Sequence, residues 1–315
     1  MGALNKLGLE SYTDTVTDVS DEQRQTQRSF GFKWSKRETY ESEAVATNLR
    51  RWLIERYCNG DPEQVGRWLE GGRKLIVDAG CGAGLAGLLF FGEHLRRHDY
   101  LGVDISSALD QAKLRFGEAG LPGDFLRADL LKFGAPDESV DIIFSEGVLH
   151  HTDSTELAIS TLARKLKPGG RFLFYVYAKK AVIREFADDH IREAIRPLTD
   201  EEAWKALEPL SKLGMELGRL KVELQIPEDI PYLGIKAGKM DIQRFFYWNI
   251  FKAYYRDEFS LDEINHINFD WYRPLNCQRH TEAEIRLWCR EANLEIEHFD
   301  RAESGFTVVA RKNES

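Results

Sequence analysis

Between Lys74 and Tyr177 the chain repeats one unit, a short apolar run followed by a stretch whose apolar residues recur at helical spacing. The runs are "KLIVDA", "YLGVD" (100–104), "DFLRAD" (124–129), "SVDIIFSEG" (139–147) and "RFLFYVY" (171–177). Between them lie helical "LAGLLFFGEHL", "SALDQAKLRFGEAG" (107–120) and "STELAISTLARKL" (154–166), with Lys167-Pro168-Gly169-Gly170 expected as a turn into the fifth strand. Such alternation predicts the α/β class: a doubly wound, mostly parallel sheet with right-handed crossovers. Near the end, "TEAEIRLWCREANL" (281–294) predicts a helix, with Thr281 and Glu284 forming a capping box. "EIEHFD" and "GFTVVARK" (305–312) follow too closely for a parallel crossover, so these strands should be antiparallel neighbours. The expected sheet then has seven strands, the last antiparallel.

The flanks divide the chain into an N-terminal arm and helix (1–70), a core (71–179 and 276–315) and an inserted helical segment (180–275). Residues 1–28 are polar and expected to be loosely ordered, with "QRQTQR" as a solvated helix or coil and "SFGFKWSKRETY" (29–40) as a loop. Val45, Leu49, Trp52, Leu53 and Tyr57 then share a helical face that Asn59-Gly60 and Pro62 should end. In the insertion, "RFFYWNIFKAYYRDEF" (244–259) would set Trp248, Phe251, Tyr255 and Phe259 on one helical face, as core or as a lid.

"LIVDAGCGAGLAG" (75–87) holds the chemistry. Glycines between a strand and a helix let a ligand approach the backbone and the helix N-terminus. Gly82-Ala-Gly84-Leu-Ala-Gly87 also fits the G-x-G-x-x-G pattern of dinucleotide sites, and Asp104 at the end of the second strand suits any adenosine ribose. An NAD(P)-dependent oxidoreductase is therefore one reading. Asp78 just before the turn favours a cationic ligand over a pyrophosphate, by Coulomb attraction. Asp129, ending the third strand, is placed to accept from the exocyclic amine of an adenine.

With "VDAGCGAG" (77–84), "GVDIS" (102–106), "RADL" (127–130), "IIFSEGVLHH" (142–151) and "LKPGGRF" (166–172) in order, the chain resembles the class I S-adenosylmethionine (SAM)-dependent methyltransferases. The resemblance covers about 71–179 and 276–315; the insertion departs from the minimal family fold. It implies SAM as cofactor and S-adenosylhomocysteine as product. It further implies that Asp78, Gly80, Gly82 and Gly84 line the methionine end, Asp104 with Ile105 the ribose, and Asp129 with Leu130 the adenine. Ser145 and Glu146, at the end of the fourth strand, are further cofactor candidates.

His150 and His151 follow that strand at the carboxyl edge, where open α/β sheets bind ligands, and imidazole suits a general base at neutral pH. The alternative is that one of them caps or packs onto the next helix while the other contacts solvent or cofactor; many members of the family carry a similar His-His without using it as a base. Glu146 is a rival base. Trp34, with Phe30 and Phe32, is a candidate cover for the cofactor, and Lys33, Lys36 or Arg37 a partner for its carboxylate. Trp248, Trp271, Tyr272, Arg279 and His280, with Arg273, are candidates to line an acceptor pocket; arginine suits an anionic group.

A net charge of −9 and the lack of a basic stripe argue against nucleic acid as the main partner. Cys58, Cys81, Cys277 and Cys289 show no metal-ligand spacing and read as reduced thiols of a cytoplasmic protein. No apolar run suggests a signal peptide or membrane span. The expectation is a methyltransferase acting on a small molecule, whose acceptor atom (O, N, C or S) is open. An RNA or protein methyltransferase and a non-catalytic SAM-binding subunit are the alternatives.

Overall fold

A computed structural model describes residues 2–9 and 18–314; the loose order expected at 10–17 lies outside the described residues. Among the described residues, four α-helices precede the sheet: α1 (Ala3–Leu7), α2 (Asp21–Ser35), α3 (Glu43–Cys58) and α4 (Gln64–Trp68). Then come β1 (Leu75–Ala79), α5 (Leu85–Phe91), β2 (Asp99–Asp104), α6 (Leu109–Glu118), β3 (Asp124–Arg127), β4 (Val140–Glu146), α7 (Thr155–Lys165) and β5 (Leu166–Tyr177). The insertion contains α8 (Val182–Ile195), α9 (Asp200–Arg219), β6 (Glu223–Ile226), β7 (Gly238–Asp241), α10 (Ile242–Asn249) and α11 (Leu261–Tyr272). The chain closes with α12 (Glu282–Glu291), β8 (Leu294–Arg301) and β9 (Gly305–Lys312).

The large sheet has seven strands in the order β3-β2-β1-β4-β5-β9-β8. β1 to β5 pair in parallel, and β9 runs antiparallel to both β5 and β8. Every residue of β1 is buried, as a central parallel strand covered on both faces requires. Alternate side chains divide between the faces. Val77, Leu101, Ile143 and Phe174 join Ile159 and Leu162 of α7 and Ile285 of α12 in one apolar cluster. From β4, Phe144 points the other way and packs on Tyr57, Phe90 and Phe91.

Compact packing divides the chain into two units, 1–35 with 46–178 and 276–315, and 36–45 with 179–275. The expected N-terminal arm is thus shared between them. In the second unit, α8, α9, α10 and α11 accompany a small antiparallel hairpin, β6–β7, that the sequence reading did not contain. Its centre is polar. Arg184 and Asp188, each 1% exposed, pair at 2.5 Å, and Ser211, Asn265 and Asn268 hydrogen-bond between α9 and α11.

Three expectations change. The stretch 23–35, expected as solvated helix or coil to Arg28 and as loop from Ser29, is helix throughout, and its buried residues are polar rather than solvated: Gln23, Gln25, Thr26, Gln27, Ser29 and Lys33. The aromatic stretch 244–259 is helical only to Asn249, so Trp248, Phe251, Tyr255 and Phe259 do not form a stripe. There the backbone is claimed by side chains: Lys252 N–H donates to Asp188, Tyr254 N–H to Asn268, and Ala253 C=O accepts from Gln243. Lys167-Pro168-Gly169-Gly170 lies within β5 as a bulge, because the register steps from Val140↔Leu166 to Ile142↔Arg171. Proline has no N–H for the ladder and Gly169 has a φ of 75°, which accounts for the local break in pairing. Asn59 and Gly60 end α3 with positive φ, and Thr281 with Glu284 forms the capping box, both as read from sequence.

Candidate active site

The turn after β1 is built on left-handed backbone: Gly80 has a φ of 86° and Gly82 of 52°. A Cβ at Gly80 would come within 2.1 Å of the Val148 side chain, and one at Gly82 within 2.9 Å of the Trp34 indole nitrogen. Only glycine meets both demands. Gly84 begins α5 as its N-cap.

Four carboxyls mark the ends of four adjacent strands. Asp78, near the end of β1, accepts from the Tyr100 hydroxyl at 2.6 Å. Asp104, at the end of β2, accepts from Gly82 N–H at 2.8 Å and from the N–H and hydroxyl of Ser106 at 2.8 and 2.7 Å. Asp129, after β3, caps a short 3-10 turn by accepting from Leu131 N–H at 3.0 Å, and Leu130 beside it is buried. Glu146, ending β4, accepts from the Tyr57 hydroxyl at 2.7 Å. Burial dominates their titration. It raises the Asp78 carboxyl to about 7 and that of Glu146 to about 8, and pushes Asp104 and Asp129 above the usual carboxylate range. Ser145, fully buried, donates to Ala79 C=O at 2.7 Å and ties β4 to β1 beside the turn.

Helix α2 explains its polar buried face here. Gln27 donates to Ile105 C=O at 2.8 Å, just beyond Asp104. A Cβ at Gly31 would lie 2.8 Å from the Ser107 hydroxyl. Lys33 is 5% exposed, its ammonium 4.0 Å from the centre of a Trp34 ring. Trp34 therefore lies against the glycine turn, and α2 runs along the edge where β2 ends. Of the other cations proposed for the cofactor, Lys36 lies over Trp204 and Arg37 pairs with Glu41 at 2.8 Å, all within the second unit.

His150 and His151 lie in a 3-10 turn, Leu149–His151, after β4. The His150 ring packs on Tyr177, centroids 3.7 Å apart, while His151 Nδ1 meets the Asn276 carbonyl oxygen at 2.6 Å. His280 bonds the Thr155 hydroxyl through Nε2 at 2.9 Å, and Arg279 donates to Cys277 C=O at 3.3 Å. Both belong to the unit that holds the turn. Trp271 and Tyr272, read as pocket lining, are 3% and 1% exposed and both donate to Asp188 at 2.7 Å within the second unit. Arg273 pairs with Asp200 at 2.6 Å, and Trp248 is partly buried in α10.

Sequence reasoning did not single out Tyr57 or Asn276. Tyr57 sat on an apolar helical stripe and read as core, and its hydroxyl gave no periodic signal. Asn276 lies in a short irregular segment far from its partners in sequence.

The donor set tests the cofactor. Four buried or partly buried carboxyls call for hydroxyls, amines and positive charge, whereas a pyrophosphate would meet like charge. SAM, with its ribose diol, adenine amine, ammonium and sulfonium, fits them. The fold and this edge define a SAM-binding core.

A family described as "Methyltransferase domain" matches residues 77–174. An uncharacterized methyltransferase of Mycobacterium tuberculosis is 35% identical over 101 residues, covering 31% of this chain and 48% of that protein. A fatty-acid O-methyltransferase of Mycolicibacterium smegmatis is 28% identical over 102 residues, covering 32% and 36%. The chain spans about half the length of the first of these relatives. Among solved structures, a Burkholderia thailandensis 1,6-didemethyltoxoflavin-N1-methyltransferase with bound S-adenosylhomocysteine is 14% identical. It covers 96% of this chain and 94% of its own, with a TM-score of 0.46. The core is that of a class I SAM-dependent methyltransferase.

Proposed function

We propose that the protein transfers the methyl group of SAM to a small-molecule acceptor. The observation that carries this reading is the row of carboxyls Asp129, Asp104, Asp78 and Glu146 ending β3, β2, β1 and β4 around the glycine turn. When bound, SAM supplies an electrophilic methyl group and a thioether leaving group. The chain's residues supply the rest. Asp104 accepts from ribose hydroxyls, Asp129 from the adenine amine, and Asp78 with Glu146 opposes the positive charge. Trp34 covers the turn and Lys33 answers the cofactor carboxylate, while His150 or His151 takes a proton from the acceptor where one must leave.

The small-molecule assignment rests on the charge of −9 and on the insertion at 179–275, which lies outside the family match and is assigned to acceptor recognition. A cytoplasmic setting is supported by four buried cysteines, none in a disulfide. No described helix is long and apolar enough to cross a membrane.

Incubation with SAM labelled in its methyl group, followed by separation of a cell extract into small molecules, RNA and protein, tests the acceptor class. Label should appear in small molecules; label in RNA or protein alone would overturn the assignment.

A further inference from the structure

Asn276 gathers four hydrogen bonds from two separate parts of the core unit, α2 and the turn at 151–153. Its N–H donates to the Thr26 hydroxyl at 3.1 Å, and its side-chain amide donates to Gln23 Oε1 at 2.9 Å and Asp153 Oδ1 at 2.8 Å. Its carbonyl oxygen lies 2.6 Å from His151 Nδ1. Ser20 strengthens the knot by donating to the same Asp153 oxygen at 2.7 Å and accepting from Gln23 N–H at 2.9 Å. The segment continues along the histidine turn, where Gln278 N–H donates to His150 C=O at 2.9 Å and the Gln278 amide donates to Thr152 C=O at 2.6 Å.

A carbonyl oxygen can only accept, so the proton of this pair sits on Nδ1. In neutral imidazole the lone pair then belongs to Nε2. The His150 ring is packed on Tyr177, centroids 3.7 Å apart.

We infer that Asn276 is a positioning residue that holds His151 in the Nδ1–H tautomer, making His151 Nε2 the base, and that the same residue anchors α2 through Gln23 and Thr26. This rests on the methyltransferase reading. In the reaction, the acceptor atom forms its bond to the methyl carbon as the carbon–sulfur bond breaks, and the electron pair stays on sulfur. The acceptor's proton passes to Nε2. The resulting imidazolium keeps its Nδ1–H bond to the Asn276 carbonyl, whose dipole favours the cation.

The test is ring-nitrogen magnetic resonance on full-length protein carrying isotope-labelled histidine, with His151→Gln to assign the signal. Wild-type His151 should show a single Nδ1–H tautomer above its pKa. Asn276→Ala, and independently Asp153→Ala at an exposed position, should lose that single tautomer. Asp153→Asn, which keeps the accepting oxygen, should retain it. An Nε2–H tautomer in the wild type, or an unchanged tautomer in both alanine variants, would overturn the inference. SAM titration of the same samples reports separately: absent SAM binding sinks the methyltransferase reading, while SAM binding with the wrong tautomer sinks only the role of Asn276.

Discussion

Tyr100 and Asp78 are joined across neighbouring strands by a 2.6 Å hydrogen bond, and Gly87 of α5 lies directly against it. A Cβ at position 87 would come within 2.3 Å of Asp78 Oδ2 and 2.7 Å of the Tyr100 hydroxyl. Helix propensity alone would reward Gly87→Ala by up to ~1 kcal/mol. The clash with a buried, bonded pair outweighs it, and we expect a net loss of about 1–3 kcal/mol, as overpacking typically costs. Urea unfolding measures this; an unchanged or higher midpoint would show that the pair yields.

Asp104→Ala should weaken SAM binding by more than about tenfold, from the ~1.5–3 kcal/mol of hydrogen bonds to a charged group. Because Asp104 also holds Gly82 N–H and Ser106, some of that loss comes from a looser turn. Ser106→Ala loosens the same acid without removing it and should cost less. Calorimetry separates the two, and equal affinities for wild type and Asp104→Ala would remove Asp104 from the site.

The raised carboxyls of Asp78, about 7, and Glu146, about 8, make a pH prediction. Each holds its proton more tightly in the folded chain than in the unfolded one. Their contribution to stability is therefore fully present below about pH 4 and is lost as pH rises through about 7 and 8. The thermal midpoint of the free protein should fall between about pH 4 and 8 and level off above that. A cation in the site favours the ionised forms, so SAM affinity should rise over the same interval. An affinity that falls with pH would contradict the pairing of these acids with positive charge.

Trp34 provides an optical check, since its indole lies against Gly82. Adding SAM should change tryptophan emission, and Trp34→Phe should remove most of the change. Trp34→Ala should weaken SAM about 2- to 13-fold, the ~0.5–1.5 kcal/mol range of aromatic contacts. A full emission change in Trp34→Phe would place the cofactor elsewhere.

The sheet was legible because burial on both faces forces continuous apolar strands, and the glycine turn because its backbone excludes other residues. The acids were legible from their place at strand ends. α2 was not, because its inward face is polar: Gln23, Thr26 and Gln27 bond to Asn276 and Ile105, and a hydropathy pattern sees only a solvated segment. The stretch from Ile250 to Arg256 was misread for the complementary reason. Its aromatics recur at helical spacing, yet side chains of Asp188, Asn268 and Gln243 take its backbone groups. Long-range side-chain bonds of this kind leave no local period.

The most direct test of the central claim is calorimetric titration of the full chain with SAM, S-adenosylhomocysteine and NADH. SAM and S-adenosylhomocysteine should both bind, with the Asp104→Ala variant weaker for each, and NADH should not. Tight NADH binding with no heat from SAM would contradict the assignment of this carboxyl-lined edge to SAM.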